Sequence, residues 1–142
     1  MRKENIFSKI LRMRKTMLSI VVIDSHPLMR TALSTALATE EDLQVVAEYP
    51  NGKQFFEKRN ELEPNIVLFG IGNPPNGELE IIRTIRESFP AIIILALVTG
   101  ELPGQDQAAF QAGANFVLEK TLSRVDLLGA LNTCKRELNL IF

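Results

Sequence analysis

The chain has 142 residues, a length that fits one domain and can bury a hydrophobic core. Its 46% hydrophobic and 23% charged residues exclude a largely disordered chain. The longest apolar run, at 91–98, is far shorter than the roughly 20 residues of a membrane span, and Cys134, the only cysteine, excludes an intrachain disulfide. No secretory cleavage site follows MLSIVVI, so we expect a soluble, cytoplasmic protein.

Charge separates the first residues from the rest of the chain. Residues 1–16 contain six basic and one acidic side chain, a net charge of +5; since the whole chain has −1, the remainder has −6. So acidic a domain argues against direct binding of nucleic acid. We interpret 1–17 as a basic leader, either a flexible tail or an over-extended start with Met13 or Met17 as the true first residue. The basic leader could also contact nucleic acid or an anionic membrane, with Ile6, Phe7, Ile10 and Leu11 as a short apolar stripe. Residues 18–142 are predicted to form a single domain.

Hydrophobic periodicity predicts strands and helices in strict alternation. The predicted strands are SIVVID (19–24), LQVVAE (43–48), NIVLFG (65–70), AIIILALV (91–98) and NFVLE (115–119). The predicted helices cover 28–38, 52–62, 78–88, 105–112 and a final segment after Ser123. Gly113 suits a left-handed cap of the fourth helix, and Ser123 with Asp126 resembles a capping box for the last one.

This alternation predicts an α/β, flavodoxin-like fold: a doubly wound five-stranded parallel sheet with helices on both faces. Strands one, three and four are apolar throughout and should be central. The second strand contains Gln44 and Glu48, and the fifth contains Asn115 and Glu119, so these two should be edges. The strand order 2-1-3-4-5 satisfies both requirements.

The crevice of such a sheet lies at the carboxyl ends of strands one and three, which are Asp24 and Gly70. Lys120 follows strand five, so we expect an Asp24–Lys120 ion pair that reduces the cost of burying either charge. A purely structural role for this pair is as well supported as a functional one. The loop after Gly70, IGNPPNG, contains no carboxylate, hydroxyl, imidazole or thiol.

Four segments resemble the receiver domain of response regulators (CheY-like), in the subgroup usually linked to a helix-turn-helix output domain. They are VVIDSHPLMRTAL (21–33), LQVVAEYPNGKQ (43–54), EPNIVLF (63–69) and AGANFVLEK (112–120). The resemblance extends from about Ser19 to Cys134 and implies the flavodoxin-like fold and a role in two-component, phosphorelay-type signal transduction.

The resemblance also implies a site. In working receivers an acidic pair after strand one holds Mg²⁺, an Asp ending strand three accepts the phosphoryl group, and a Ser or Thr after strand four and a Lys after strand five contact the phosphate. Asp24 matches the first acidic residue and Lys120 matches the Lys. Ser25 replaces the second acidic residue, and Gly70 replaces the phosphoacceptor.

The two positions that respond to phosphorylation in receivers, a hydroxyl residue after strand four and an aromatic residue in strand five, also differ from the family pattern. The position of the family's Ser or Thr after strand four corresponds to Ala96, Leu97 or Val98 here, and only a shift of register places Thr99 there. The position usually occupied by an aromatic residue holds Val117. A glycine cannot be phosphorylated, and one carboxylate binds a metal weakly. We therefore expect a degenerate phosphorylation site with no catalytic residue, no cofactor, weak or absent Mg²⁺ binding, and a pocket closed by the Asp24–Lys120 contact.

We predict a stand-alone, atypical pseudo-receiver that is not an enzyme and acts independently of phosphorylation through protein partners. Docking is expected on the last helix and its neighbouring strand, or on helices one and five; a homodimer through the last helix is one form of this. Too few residues follow Lys120 for a helix-turn-helix domain, so any control of transcription would use a separate DNA-binding partner.

Two alternatives remain open. In the first, the Gly/Pro loop and the empty acceptor position form a small-ligand pocket. The second is an enzyme that uses Asp24, Ser25 and Lys120. It is disfavoured because no second acid or base of suitable spacing appears. Ser25 beside His26 could also suggest a nucleophile and its base, but neighbours after a strand should point in different directions, and no oxyanion hole or orienting acid appears.

Overall fold

The computed structural model describes residues 5–7, 17–121 and 123–141, and the side chains of 139–141 are not described. Most of the predicted basic leader therefore lies outside the described residues. The strands are β1 (Leu18–Ile23), β2 (Leu43–Tyr49), β3 (Ile66–Gly70), β4 (Ile93–Val98) and β5 (Phe116–Glu119). The helices that alternate with them are α1 (Pro27–Leu37), α2 (Gly52–Lys58), α3 (Glu78–Ser88), α4 (Gln105–Ala112) and α5 (Arg124–Ile141).

The five strands form one parallel sheet in the order β2-β1-β3-β4-β5, which confirms the predicted flavodoxin-like fold. In β3 and β4 every residue is buried, whereas β2 and β5 are partly exposed, as the polar residues of the edge strands predict. Ile23 pairs with Phe69, and Gly70 pairs with Leu97. The carboxyl ends of the central strands therefore meet at one edge of the sheet, which we call the crest.

The core is split into two layers by the sheet because successive strand residues point to opposite faces. On one face Val21, Ile23 and Phe69 pack with buried residues of α2, α3 and α4. On the other face Ile20 and Val22 pack with α1 and α5. No helix of the described residues is long and apolar enough to cross a membrane.

The second helix is shorter than predicted. It ends at Lys58 rather than near Leu62, because Asn60 and Glu61 adopt positive φ angles of 44° and 64° that a helix cannot contain. The apolar residue at 62 still packs against the core, which explains why periodicity extended the helix too far.

Both predicted helix-end signals are present. Ser123 Oγ accepts a hydrogen bond from Asp126 N at 3.2 Å, and Asp126 Oδ2 accepts one from Ser123 N at 3.4 Å, the reciprocal pattern of a capping box. Gly113 ends α4 with φ at +125°, a backbone region open mainly to glycine.

Candidate functional site

Asp24 is the first residue after β1 and is almost completely buried, with 1% of its surface exposed. Its Oδ1 accepts a hydrogen bond from His26 N at 2.8 Å and lies 3.1 Å from His26 Nδ1. Its Oδ2 lies 3.3 Å from Lys120 Nζ but accepts no hydrogen bond from a described residue. A buried carboxylate is thus held by one backbone amide and one facing cation.

Lys120 directly follows β5, and its backbone amide donates to Val98 O at 2.7 Å, which fixes its position at the crest. Its side chain is 13% exposed. The ion pair with Asp24 that the sequence predicts is therefore present. Because both side chains are largely buried, loss of either charge would leave the other unpaired, and an unpaired buried charge is strongly destabilising.

Gly70 ends β3 beside Asp24. A Cβ built on Gly70 would overlap Asp24 Oδ2 and would also lie 2.7 Å from Asp24 Cγ. The carboxylate of Asp24 therefore fills the volume in which any side chain at position 70 would begin. Close packing leaves no room for both, so a larger residue at 70 requires Asp24 to turn away.

Ser25 and His26 contact each other, contrary to the expectation that these neighbours point apart. Ser25 Oγ lies 3.4 Å from His26 Nδ1, the same nitrogen that lies 3.1 Å from Asp24 Oδ1. A Ser-His-Asp relay needs the serine on one ring nitrogen and the carboxylate on the other. The three residues are close together but lack that arrangement, because Ser25 and Asp24 both lie against the same ring nitrogen, Nδ1 of His26.

Ala96 and Thr99, two of the candidates for the hydroxyl position, have different surroundings. Ala96 is buried within β4, where it pairs with Phe69 and Val117. Thr99 directly follows β4, and its Oγ1 accepts a hydrogen bond from Gln105 Nε2 at 2.9 Å. Gln105 Oε1 in turn accepts one from Gly100 N at 2.8 Å. Thr99 is thus held by the first residue of α4.

Val117 is partly exposed in β5, in the place where the resemblance implies an aromatic residue. Together with Val98 and Leu102 it lines a cavity of about 250 Å³ between β5 and the loop that precedes α4. The small side chain at 117 leaves this space open.

A larger cavity of about 550 Å³ lies beside the Asp24 carboxylate, between the loops that follow β1, β2 and β3. Its lining includes Phe69, Ile81, Asn51 and Asn76. The expectation of a pocket closed by the Asp24–Lys120 contact is therefore wrong. That contact fills the space above Gly70, while the glycine-rich loops leave a cleft next to it.

The Gly/Pro loop after β3 is held by Glu78, the first residue of α3. Glu78 Oε1 accepts a hydrogen bond from Gly72 N at 3.1 Å, and its Oε2 accepts one from Asn76 N. Asn73 Nδ2 donates to Glu101 Oε2 at 3.0 Å, which joins this loop to the loop after β4. Sequence reasoning missed Glu78 and Gln105. Both are polar residues at the first position of a helix, and each contacts a residue six positions earlier in the preceding loop, Gly72 or Thr99. That spacing was the signal available in the sequence.

Within the described ranges, no group of three or more His, Cys, Asp or Glu side chains is arranged to hold a metal ion. The order of the strands, an aspartate after β1 and a lysine after β5 define a flavodoxin-like domain of the receiver type. The family model for the response regulator receiver domain matches residues 20–132, and the chain belongs to this family.

Curated relatives support the same assignment. The chain is 33% identical over 117 residues to the transcriptional regulatory protein LnrK of Bacillus subtilis, a match that covers 82% of this chain and 53% of the relative. It is 31% identical over 115 residues to the response regulator GacA of Pseudomonas syringae pv. syringae, covering 81% of this chain and 54% of the relative. The chain thus spans about half the length of the curated relatives it matches.

Solved structures share the fold. A two-component response regulator of the LuxR family from Aurantimonas sp. has a TM-score of 0.75 and 24% identity, over 85% of this chain and 86% of that one. The isolated REC domain of RcsB from Salmonella enterica serovar Typhimurium has a TM-score of 0.75 and 19% identity, over 84% and 89%.

Proposed function

We propose that this receiver domain does not accept a phosphoryl group and acts as a pseudo-receiver, in two-component-type signalling, by binding protein partners. The observation that carries the proposal is the arrangement at the end of β3. Gly70 has no nucleophile, and the Asp24 carboxylate fills the space of the missing side chain. Gly70 is taken to stand at the acceptor position on the resemblance to receivers.

Asp24 is a poor substitute for the missing acceptor. Phosphoryl transfer requires a carboxylate oxygen in line with an incoming donor. Oδ2 of Asp24 is buried against Lys120, and Oδ1 already accepts from His26 N. Neither oxygen is presented for attack, which supports a domain without phosphorylation.

The side chains at the crest do not suit Mg²⁺ binding. The ion prefers several hard oxygen ligands in octahedral geometry. At the crest Asp24 is the carboxylate that would bind it, Ser25 stands in the second acidic position, and the Lys120 ammonium lies 3.3 Å from the best-placed oxygen. Weak or absent Mg²⁺ binding and the lack of a catalytic activity are both part of this proposal.

Treatment with acetyl phosphate and Mg²⁺, followed by intact mass measurement, tests the proposal. A receiver with an intact acceptor Asp, treated in parallel, provides the positive control. We expect the control to gain a phosphoryl group and this chain to remain unmodified. A stable adduct on any carboxylate would contradict the proposal.

Partners are proposed to dock on the last helix with its neighbouring strand, α5 and β5, or on α1 and α5. LnrK is named a transcriptional regulator. For this acidic domain we propose that any effect on transcription passes through a separate DNA-binding partner rather than direct contact with nucleic acid.

A second candidate function is small-ligand binding, favoured by the cavity of about 550 Å³ at the crest. That volume lies within the range of about 300–1,000 Å³ typical of ligand pockets. A thermal-shift screen with metabolites, repeated on Asn76→Trp, would test it. Asn76 is an exposed lining residue, and Asn132→Trp, on α5, is the matched control. A stabilising metabolite whose effect is lost only in Asn76→Trp would support this function; no shift with any metabolite would contradict it.

A further inference from the structure

Two Asn–Gly pairs line the cavity of about 550 Å³ beside Asp24, which we call the crest cleft. Asn51–Gly52 belongs to the segment after β2, and Asn76–Gly77 belongs to the loop after β3. The sequence contains no other Asn–Gly pair. Asparagine is one of the thermolabile residues, and a following glycine has no side chain to shield its backbone nitrogen from the asparagine amide. Both pairs therefore have the residue types that spontaneous deamidation requires.

Deamidation of such a pair needs no reagent except water. The backbone nitrogen of the glycine attacks Cγ of the asparagine side chain, and the bond from Cγ to the amide nitrogen breaks. The proton of the backbone nitrogen leaves with the amide group as ammonia, and a cyclic imide remains. Water then opens this imide at one of its two carbonyl carbons, which gives aspartate or isoaspartate, whose backbone passes through the side chain. Both products have a carboxylate in place of a neutral amide.

The fold restrains the first pair. Asn51 is the N-cap of α2, and its Oδ1 accepts a hydrogen bond from Gln54 N at 2.9 Å. Gly52 is buried at the first position of the helix, where a Cβ would overlap Ile81 Cγ2. Ring closure requires the asparagine side chain to turn toward the glycine nitrogen, so Asn51 must first release Gln54 N, and Gly52 must shift within tight packing. The reaction at Asn51 therefore requires α2 to open.

The second pair has no such restraint. Asn76 and Gly77 are both exposed. Asn76 donates through its backbone N–H to Glu78 Oε2, but its side-chain amide forms no hydrogen bond with a described residue. Gly77 N also donates to none of the described residues, and a Cβ built on Gly77 would meet nothing within 4 Å. The two groups that must meet are therefore both accessible and not held apart by other contacts.

Every asparagine outside the two pairs is followed by proline or by another residue that has a side chain. Asn73 precedes Pro74, whose nitrogen has no proton to lose. Asn65 and Asn115 each accept a backbone hydrogen bond through Oδ1, at 2.9 Å and 2.8 Å. Among the described residues, Asn76 thus combines the reactive neighbour with an unrestrained side chain.

Deamidation at position 76 would alter the loop that Glu78 holds. Glu78 Oε1 accepts a hydrogen bond from Gly72 N at 3.1 Å, and its Oε2 accepts one from Asn76 N. An aspartate at 76 places a second carboxylate near that of Glu78, and like charges repel. An isoaspartate also lengthens the backbone between the amide of residue 76 and Glu78 by a methylene group, which displaces one hydrogen bond relative to the other. Either product should loosen this wall of the crest cleft.

We propose that Asn76 is a site of spontaneous covalent modification, where deamidation adds a carboxylate to the rim of the crest cleft, while Asn51 stays intact as long as α2 is folded. The reaction is hydrolysis of a side-chain amide through a cyclic imide, with water as the co-reactant. Loss of ammonia makes it effectively irreversible, so the modified fraction rises with the age of the protein. No atom of Asp24 or Lys120 takes part, so the ion pair beside Gly70 is unchanged.

The test stores the full chain at pH 8 and physiological temperature, and samples are digested with pepsin in acid, which halts the reaction. We expect the peptide that contains Asn76 to gain the mass difference between a hydroxyl and an amino group, and to separate into aspartate and isoaspartate forms. The peptide that contains Asn51 should react more slowly by about fivefold or more, as expected for a residue that must first release an N-cap. No change at Asn76, or equal rates at Asn51 and Asn76, would overturn the proposal.

Two controls separate the effect of the fold from that of the dipeptide. In urea, where α2 is unfolded, Asn51 and Asn76 should react at similar rates, because only the fold distinguishes them. A slower reaction of Asn51 in urea as well would assign the difference to neighbouring residues and overturn the proposal. Asn76→Gln, whose longer side chain would have to close a larger ring, should leave this peptide unmodified. An equal mass gain in that variant would place the modification at another residue and overturn the proposal.

Amide hydrogen exchange at Gly72 and at residue 76 measures the effect on the loop. Asn76→Asp should exchange faster at both amides than the native chain does, because the Glu78 carboxylate holds them less well beside a second negative charge. Asn132→Asp, at an exposed position on α5, makes the same change of charge and should leave exchange at both amides as it is in the native chain. Equal exchange in the two variants would overturn the assignment of this loop as the part of the molecule that responds.

Discussion

Asp24 and Gly70 share one volume at the crest, since Asp24 Oδ2 lies where the Cβ of any residue other than glycine at position 70 would be placed. The carboxylate is held there by His26 N on one oxygen and by Lys120 on the other. The glycine and the orientation of the aspartate are therefore coupled, and changes at either position should be felt at the other.

Gly70→Ala should lower the free energy of unfolding by about 2 kcal/mol, because the added methyl group overlaps a carboxylate that cannot move without losing its contacts. Asp24→Ala removes the obstacle, so Gly70→Ala should be nearly neutral in that background. Urea denaturation of the two single variants and the double variant measures the coupling. Equal effects of Gly70→Ala in both backgrounds would show that the two side chains do not compete for space.

Lys120→Met should destabilise the domain by about 3 kcal/mol, because it leaves the Asp24 carboxylate buried without its cation. Adding Asp24→Asn to that variant should recover much of the loss, since a neutral amide does not need a counter-charge. Thermal unfolding of the native, single and double variants provides the comparison. A double variant no more stable than Lys120→Met would show that the ion pair is not what stabilises this part of the crest.

Gly70→Asp together with Ser25→Asp should give a chain that gains a phosphoryl group from acetyl phosphate and Mg²⁺. The new side chain at 70 forces Asp24 to turn, and the three carboxylates together supply hard oxygens for the metal while Lys120 remains available for the phosphate. Intact mass gives the answer, with Ser25→Asp alone as the control that should stay unmodified. An unmodified but folded double variant would mean that more than the acidic residues has been lost.

Cys134 should be almost unreactive toward thiol reagents at pH 8 in the folded protein. Burial first, and the nearby Glu137 second, raise the pKa of its thiol from 9.0 to about 12. A thiolate is the reactive species, so labelling at pH 8 should accelerate sharply when urea unfolds the chain. Between pH 9 and 12 the unfolded chain binds fewer protons than the folded one, so this group's contribution to stability falls as the pH rises. Cys134→Ala should reduce that fall; fast labelling of the folded chain would contradict the prediction.

The parts of the fold that depend on periodicity could be predicted from the sequence, and those that depend on single side-chain contacts could not. Runs such as NIVLF and polar residues such as Gln44 are repeated signals, and they give the strand order correctly. The Asp24–Lys120 pair was also predictable, because parallel strands bring their carboxyl ends to one edge. The end of α2 was not, since positive φ angles at Asn60 and Glu61 arise from a local turn that leaves no periodic trace.

The details of the site were less predictable than its location. Gln105 holds Thr99, and Glu78 holds the loop at Gly72, through hydrogen bonds that depend on how a helix begins relative to the loop before it. The position of a helix start relative to the preceding loop is a three-dimensional property, and it cannot be predicted from residue types alone. The cavity beside Asp24 has the same origin, since it depends on how three loops diverge rather than on any one of them.

The carboxylate above Gly70 also bears on how such a domain could carry information. A receiver that gains and loses a phosphoryl group reports through the fraction of molecules modified. Under the proposed function this chain has no such fraction, because folding alone sets the state of its crest. Its output would then scale with the number of copies in the cell and with the abundance of its partner, so that synthesis and proteolysis, rather than a kinase, would set the strength of the response.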